Sequence, residues 1–188
     1  ALLRQAGASK SLLLAPVSQN SREGKLAAGL AECLAGIQKT VLLVDLNPQP
    51  SALRKALSAK PQEASLRDVL RQSLPVEEAA AATSVQGLSL LDGGASAEDS
   101  AADLLGSAAF PAFLQRAGEI YDFVLLLAPA EMASAAADSV PAACAGIVLV
   151  TRYGSPPLAA LRDSLPRLPP PGRDLVGLVP TDLASSPP

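Results

Sequence analysis

The chain has 188 residues, 49% of them hydrophobic, with a net charge of -3 and no histidine. That size suits one compact soluble domain with a sizeable core. The lack of an imidazole excludes Ser-His-Asp hydrolysis, Cys-His proteolysis and His-rich zinc sites, which leaves carboxylates, lysine and hydroxyls for any chemistry.

The first apolar run, Ser11 to Ala15, reads as a strand. Pro16-Val17-Ser18-Gln19-Asn20-Ser21-Arg22-Glu23-Gly24-Lys25-Leu26-Ala27 follows and feeds a stretch with helical spacing, Glu23 to Ile37. Gly24 and Lys25 stand where a phosphate-binding loop has its Gly-Lys pair. Such loops need glycines so that backbone N–H groups can curl around phosphates, a lysine for the β and γ oxygens, and a Ser or Thr hydroxyl for magnesium. Leu26 occupies the hydroxyl position, and an isobutyl group cannot ligate a hard cation. Gln19 replaces the opening glycine, and Arg22 falls where related loops often carry glycine. Because a non-glycine residue at positive φ costs about 1 kcal/mol, the loop is expected to take another shape. Taken alone, Lys25 reads equally well as a solvated first-turn lysine.

Val41 to Val44 is the next strand, and Asp45 at its end is either a site acid or a carboxylate capping the following turn. A helix over Ser65 to Gln72, a strand over Leu88 to Leu91, a helix over Ser107 to Ile120 and a strand over Phe123 to Leu127 continue the alternation. Ile147 to Val150 is a strand, Pro157 to Leu168 a helix, Pro169-Pro170-Pro171-Gly172 a stiff turn and Leu175 to Val179 the last strand. The run Val41-Leu42-Leu43-Val44 has no period of two, so both its faces are covered. This β-α order predicts a doubly wound α/β fold, a mainly parallel sheet with helices on both faces and a ligand crevice at the carboxyl ends of the strands. Residues 1–182 are expected to form a single domain, with 183–188 a flexible tail.

Cys33 and Cys144 lie far apart in apolar surroundings and are expected to be buried reduced thiols, consistent with a cytoplasmic location. No apolar run approaches the roughly 20 residues needed to cross a bilayer, so membrane attachment is expected only through a partner. Residues 1–72 carry ten of the fifteen Lys and Arg against five acids, and the remainder carries five against thirteen. The basic residues are scattered and not interleaved with aromatics, which argues against nucleic-acid binding, whereas the uneven charge favours a head-to-tail contact between copies.

Three blocks together resemble one family. The strand Ser11-Leu12-Leu13-Leu14 through Glu23-Gly24-Lys25 is similar to the strand and Gly-Glu-Gly-Lys loop of the bacterial tyrosine autokinases of capsule and exopolysaccharide synthesis. Thr40 to Gln49 is similar to the second motif that those kinases share with the chromosome-partitioning ATPases. Leu66-Arg67-Asp68-Val69-Leu70, Val76-Glu77-Glu78-Ala79, Gly87 to Gly94, Asp103-Leu104-Leu105 and Tyr121-Asp122-Phe123-Val124 then follow in the kinase order. The resemblance covers nearly the whole chain and implies a P-loop NTPase fold of the SIMIBI, MinD-like class.

The same resemblance shows what is missing. The family requires an acid at the end of the strand after Tyr121-Asp122, where it organises magnesium; here Leu127 aligns with it, followed by Ala128. The second acid of the second motif is Asn47, and the tyrosine cluster of the kinase tail is reduced to Tyr121 and Tyr153. Phosphoryl transfer depends almost wholly on positioning and on stabilising the phosphates' charge. The resemblance therefore implies a pseudokinase with a degenerate Walker A loop, no catalytic residues, no metal ligands and no required cofactor. Gly24, Lys25 and Asp45 form a residual nucleotide site for weak ATP or ADP binding. Leu26 and Leu127 are expected to meet and fill the volume of magnesium and the γ-phosphate. The implied partner is a membrane polysaccharide co-polymerase or an active kinase paralogue, with self-association of copies. The alternatives are a weakly active ATPase or tyrosine kinase working through Lys25, Asp45 and Glu23, and a ParA- or MinD-like positioning protein.

Overall fold

A computed structural model describes residues 11–16, 22–47, 52–72, 74–94, 100–129, 144–152 and 174–181. The strands are β1 (Ser11–Pro16), β2 (Val41–Asp45), β3 (Ala81–Ala82), β4 (Leu88–Asp92), β5 (Phe123–Leu127), β6 (Gly146–Arg152) and β7 (Asp174–Thr181). They form one seven-stranded sheet in the order β3-β4-β2-β5-β1-β6-β7. Every pairing is parallel except that of the two-residue edge strand β3, which runs antiparallel to β4. Every strand expected from the sequence is present. The reversal of strand order at β1 is the switch point beside which open α/β sheets bind ligands.

Among the described residues the helices are α1 (Glu23–Gly36), α2 (Ala52–Ala56), α3 (Leu66–Gln72), α4 (Val76–Ala79), α5 (Ala101–Gly106) and α6 (Phe110–Ile120). Successive strand residues point to opposite faces of the sheet, and the buried residues divide accordingly. Leu12, Leu14, Leu43, Leu125 and Leu127 pack with Ala27, Ala31 and Leu34 of α1 and Leu53 of α2. Leu13, Leu42, Val44 and Leu126 pack on the other face with residues of α3 to α6, including Phe110 and Phe113. Leu13, Leu14, Leu42 and Leu43 are wholly buried. The doubly wound arrangement is thus built from continuous aliphatic strands, as their lack of a period of two requires.

Several local expectations change. The helix expected from Ser107 begins at Phe110, because Ser107 is extended (φ -61°, ψ 137°) as the C-cap of α5 and Pro111 sits at the start of α6, where its fixed φ suits a first turn. The expected buried Cys33 is exposed. Helix α1 buries Ala27, Ala28, Ala31, Leu34 and Ala35, a stripe at helical spacing that Cys33 misses, while Cys144 is buried as expected. The expected helix over Pro157 to Leu168, the Pro169–Gly172 turn, Tyr153 and the tail lie outside the described residues.

The family-like block Tyr121-Asp122 has a structural role. Asp122 Oδ2 accepts from the Thr40 amide at 3.1 Å and from its hydroxyl at 3.3 Å, and Thr40 Oγ1 accepts from the Asp122 amide at 2.9 Å. These bonds fix the amino ends of β2 and β5 together, which sets the register at their carboxyl ends.

Candidate functional site

The register places Leu14, Leu127, Asp45 and Asp92 side by side across the carboxyl edge, on β1, β5, β2 and β4. Above this edge α1 and α2 border a cavity of about 530 Å³. Its wall includes Gly24, Ala28 and Glu32, residues at every fourth position of α1, so it follows that helix for about 12 Å. Lys25, Asn47 and Leu127 complete the end nearest the sheet, and α2 contributes Leu53.

Gly24 and Lys25 both line the cavity, in the first turn of α1. A first helical turn presents N–H groups that have no intrahelical acceptor, and its dipole favours an anion. The residue before it, Arg22, is left-handed at φ 53° and ψ 31°. The expectation that the loop would change shape to avoid this conformation is therefore corrected at this position: the arginine adopts the backbone that glycine would take, at a cost of roughly 1 kcal/mol. Residues 17–21, including Gln19, lie outside the described residues.

Asp45 does not line the cavity. It is only 2% exposed, and its Oδ1 accepts from the backbone amide of Asn47 at 3.1 Å and from the Asn47 side-chain Nδ2 at 2.6 Å. The capping reading of Asp45 thus describes its observed bonds, and Asn47 is the member of this motif that reaches the cavity. One strand over, Asp92 Oδ2 accepts from Arg54 Nε at 3.2 Å and from Arg54 Nη2, while Arg54 Nη1 reaches the carbonyl of Lys60 at 2.6 Å. This ion pair anchors α2, one wall of the cavity, to the end of β4. Gly93 follows, its amide donating to the Asp45 carbonyl at 2.7 Å.

Leu127 is 1% exposed and packs in the same apolar layer against which half-buried Leu26 lies. Leu26 is not part of the cavity wall. The lining positions of α1 are 23–25, 28, 29 and 32, whereas Leu26 sits on the flank with Leu30, four residues on. The two leucines thus share one apolar layer, and of the two only Leu127 lines the cavity. The apolar wall from Ala52 and Ala56 carried no signal in the sequence, because α2 was not legible as a helix.

Magnesium, which folds of this kind commonly hold, demands near-octahedral oxygen ligands. Here Leu26 and Leu127 offer none and Asp45 Oδ1 is engaged by Asn47, which leaves the buried Oδ2 as one carboxylate oxygen where several ligands are needed. Among the described residues, no grouping of three or more Cys, Asp or Glu is placed to hold a metal ion. The described residues do not fit the ion.

No protein-family model matches the sequence, and no curated protein matches it. Solved structures do. The chain is similar to the BceF tyrosine kinase domain, with 26% identity, a TM-score of 0.77 and coverage of 95% of this chain and 73% of that one. It is similar to the kinase domain of the Escherichia coli tyrosine kinase ETK, with 18% identity, a TM-score of 0.78 and coverage of 97% and 72%. It is also similar to the septum site-determining protein MinD of Pyrococcus horikoshii, solved with Mg-ADP, with 19% identity, a TM-score of 0.65 and coverage of 92% and 82%. Among the described residues no helix is long and apolar enough to cross a membrane. With its doubly wound parallel sheet and its phosphate-loop position at α1, the chain is a relative of the bacterial tyrosine kinases within the MinD- and ParA-like P-loop ATPase fold.

Proposed function

We propose that this chain is a non-catalytic relative of the bacterial tyrosine kinases that acts as a regulatory or scaffolding partner in exopolysaccharide or capsule synthesis and export. Leu127 carries the reading. It lies at the carboxyl end of β5, in register between Leu14 and Asp45, where the kinase resemblance calls for the acid that organises magnesium and the nucleophile. A leucine there can neither bind a cation nor accept a proton, and phosphoryl transfer without that centre loses most of its electrostatic stabilisation. Asn47 and Leu26 weaken the same centre at two further positions.

What remains favours weak anion binding. Gly24 and Lys25 line the cavity at the amino end of α1, and Asp45, the third residue of the residual site, lies at the end of β2 outside the cavity wall. ATP or ADP binds here weakly and without a metal requirement. The partner is a membrane polysaccharide co-polymerase or an active kinase paralogue, which also supplies the link to the membrane.

Purified protein is expected to show no magnesium-dependent ATP turnover and no tyrosine autophosphorylation, and calorimetric titration with ATP should give the same weak binding with magnesium or with a chelator. Robust autophosphorylation would overturn the proposal. A weakly active enzyme is the second reading, favoured by Glu23 and Lys25 lining one cavity; turnover abolished by Lys25→Ala would establish it.

A further inference from the structure

We infer that the Asn47 side chain takes the place of a cation at Asp45 Oδ1, at the end of β2, so that this oxygen is compensated without metal. The inference rests on the non-catalytic reading above. The Asp45 carboxylate is buried, and burying a charge is costly unless donors or an opposite charge compensate it. Asn47 gives Oδ1 two donors, its own amide at 3.1 Å and its side-chain Nδ2 at 2.6 Å, while the buried Oδ2 accepts no hydrogen bond among the described residues.

The clasp is held rigidly. The Leu46 amide donates to the Leu127 carbonyl at 2.9 Å on one side, and the Asp45 carbonyl accepts from Gly93 at 2.7 Å on the other. The Asn47 amide is therefore presented from a backbone pinned to both neighbouring strands. The adjacent strand end repeats the arrangement: Asp92, in register with Asp45, receives the guanidinium of Arg54. On the other flank stands uncharged Leu127.

A carboxylate at position 47 would bring an oxygen to where Nδ2 now donates at 2.6 Å. Two like charges at that separation repel strongly unless a cation lies between them. The neutral amide removes that repulsion, and with it the need for an ion between these two side chains. A ligand in the cavity then meets Lys25 and the Asn47 amide with no bridging metal.

Thermal melts of the full chain test this, in EDTA and in millimolar MgCl2. The parent melts at the same temperature in both. Asn47→Asp melts about 4–8 °C lower in EDTA and regains most of the loss with MgCl2. Asn47→Ala melts lower than the parent in both and does not respond to the ion. A parent melting temperature that rises with MgCl2, or heat of Mg²⁺ binding to the parent by calorimetry, overturns the inference. So does an Asn47→Asp or Asn47→Ala protein that melts like the parent in EDTA. Calorimetry on the parent keeps the test decisive if neither variant folds. ATP turnover by the parent would sink the non-catalytic reading whatever the melts show, whereas a silent parent with a parent-like Asn47→Asp melt sinks the clasp alone.

Discussion

At the scale of the residue, Gly94 is held by a constraint invisible in its own neighbourhood of the chain. Its φ is +69°, a region that residues with a side chain adopt only at a cost, and a Cβ there would land inside the side chain of Ser65. Gly93 is crowded too, though less so, since its Cβ would lie 2.9 Å from the Asp45 carbonyl oxygen. Gly94→Ala is therefore expected to cost about 2–4 kcal/mol, combining backbone strain with overpacking. Urea denaturation should show a lower midpoint at an unchanged slope. The pair was legible as part of a family-like block, but the neighbours it must clear come from distant parts of the chain. Asp45 is the reverse case: its role as a cap could be weighed from the sequence, and the structure adds the donors that Oδ1 receives from Asn47. For Cys33, the apolar neighbours Leu34 and Ala35 misled, because burial on a helix follows the face and not the adjacent letters.

At the scale of the element, long aliphatic strands were readable and short helices were not. Val41–Asp45 and Phe123–Leu127 announce themselves by uninterrupted apolar runs, whereas α2 and α4 are too short for periodicity and persist through tertiary contacts. Helix α5 did carry a signal: Ser100 accepts from the Asp103 amide and Asp103 accepts from Ser100, a reciprocal capping box readable as Ser-x-x-Asp. Helix α3 has a related start, where Asp68 Oδ2 accepts from the Ser65 hydroxyl at 2.6 Å and its amide at 2.9 Å. The hydrogen bond from the Ser65 hydroxyl is the main cause that holds the Asp68 carboxyl below its ordinary value of 3.8, against the opposing effect of partial burial. A carboxyl depressed on folding contributes stability that is fully present above its unfolded value and is lost as pH falls through the folded one. Asp68→Ala should thus destabilise most at neutral pH, with the difference from the parent shrinking below the ordinary carboxylate value. Denaturation midpoints of both proteins measured from pH 7 down to about pH 3 check this.

At the scale of the whole molecule, the strand order decides what the missing acid means. The sequence aligns Leu127 with the family's aspartate but cannot say which strands flank it; the fold sets it between Leu14 and Asp45, with Leu127 and Asp45 on adjacent parallel strands about 4.8 Å apart. Both lie on the face covered by α1, since Leu125 and Leu127 pack with Ala27 and Leu34. Restoring the acid therefore creates a buried carboxylate beside another buried carboxylate, in a layer built of leucine and alanine. Breaking the balance of buried charge in this way typically costs 3–5 kcal/mol. Leu26 is half-buried on the flank of α1, so Leu26→Thr adds a smaller loss of apolar packing. The double variant Leu26→Thr/Leu127→Asp should accordingly melt well below the parent in a chelator, by roughly 6–20 °C for a chain of this length. Magnesium should return only part of that loss, because the Asn47 amide still holds Asp45 Oδ1. Adding Asn47→Asp to the pair should enlarge the magnesium-dependent gain. Melts of the double and triple variants with and without the ion would check the order. A double variant as stable as the parent in chelator would mean that position 127 does not face Asp45 across the edge.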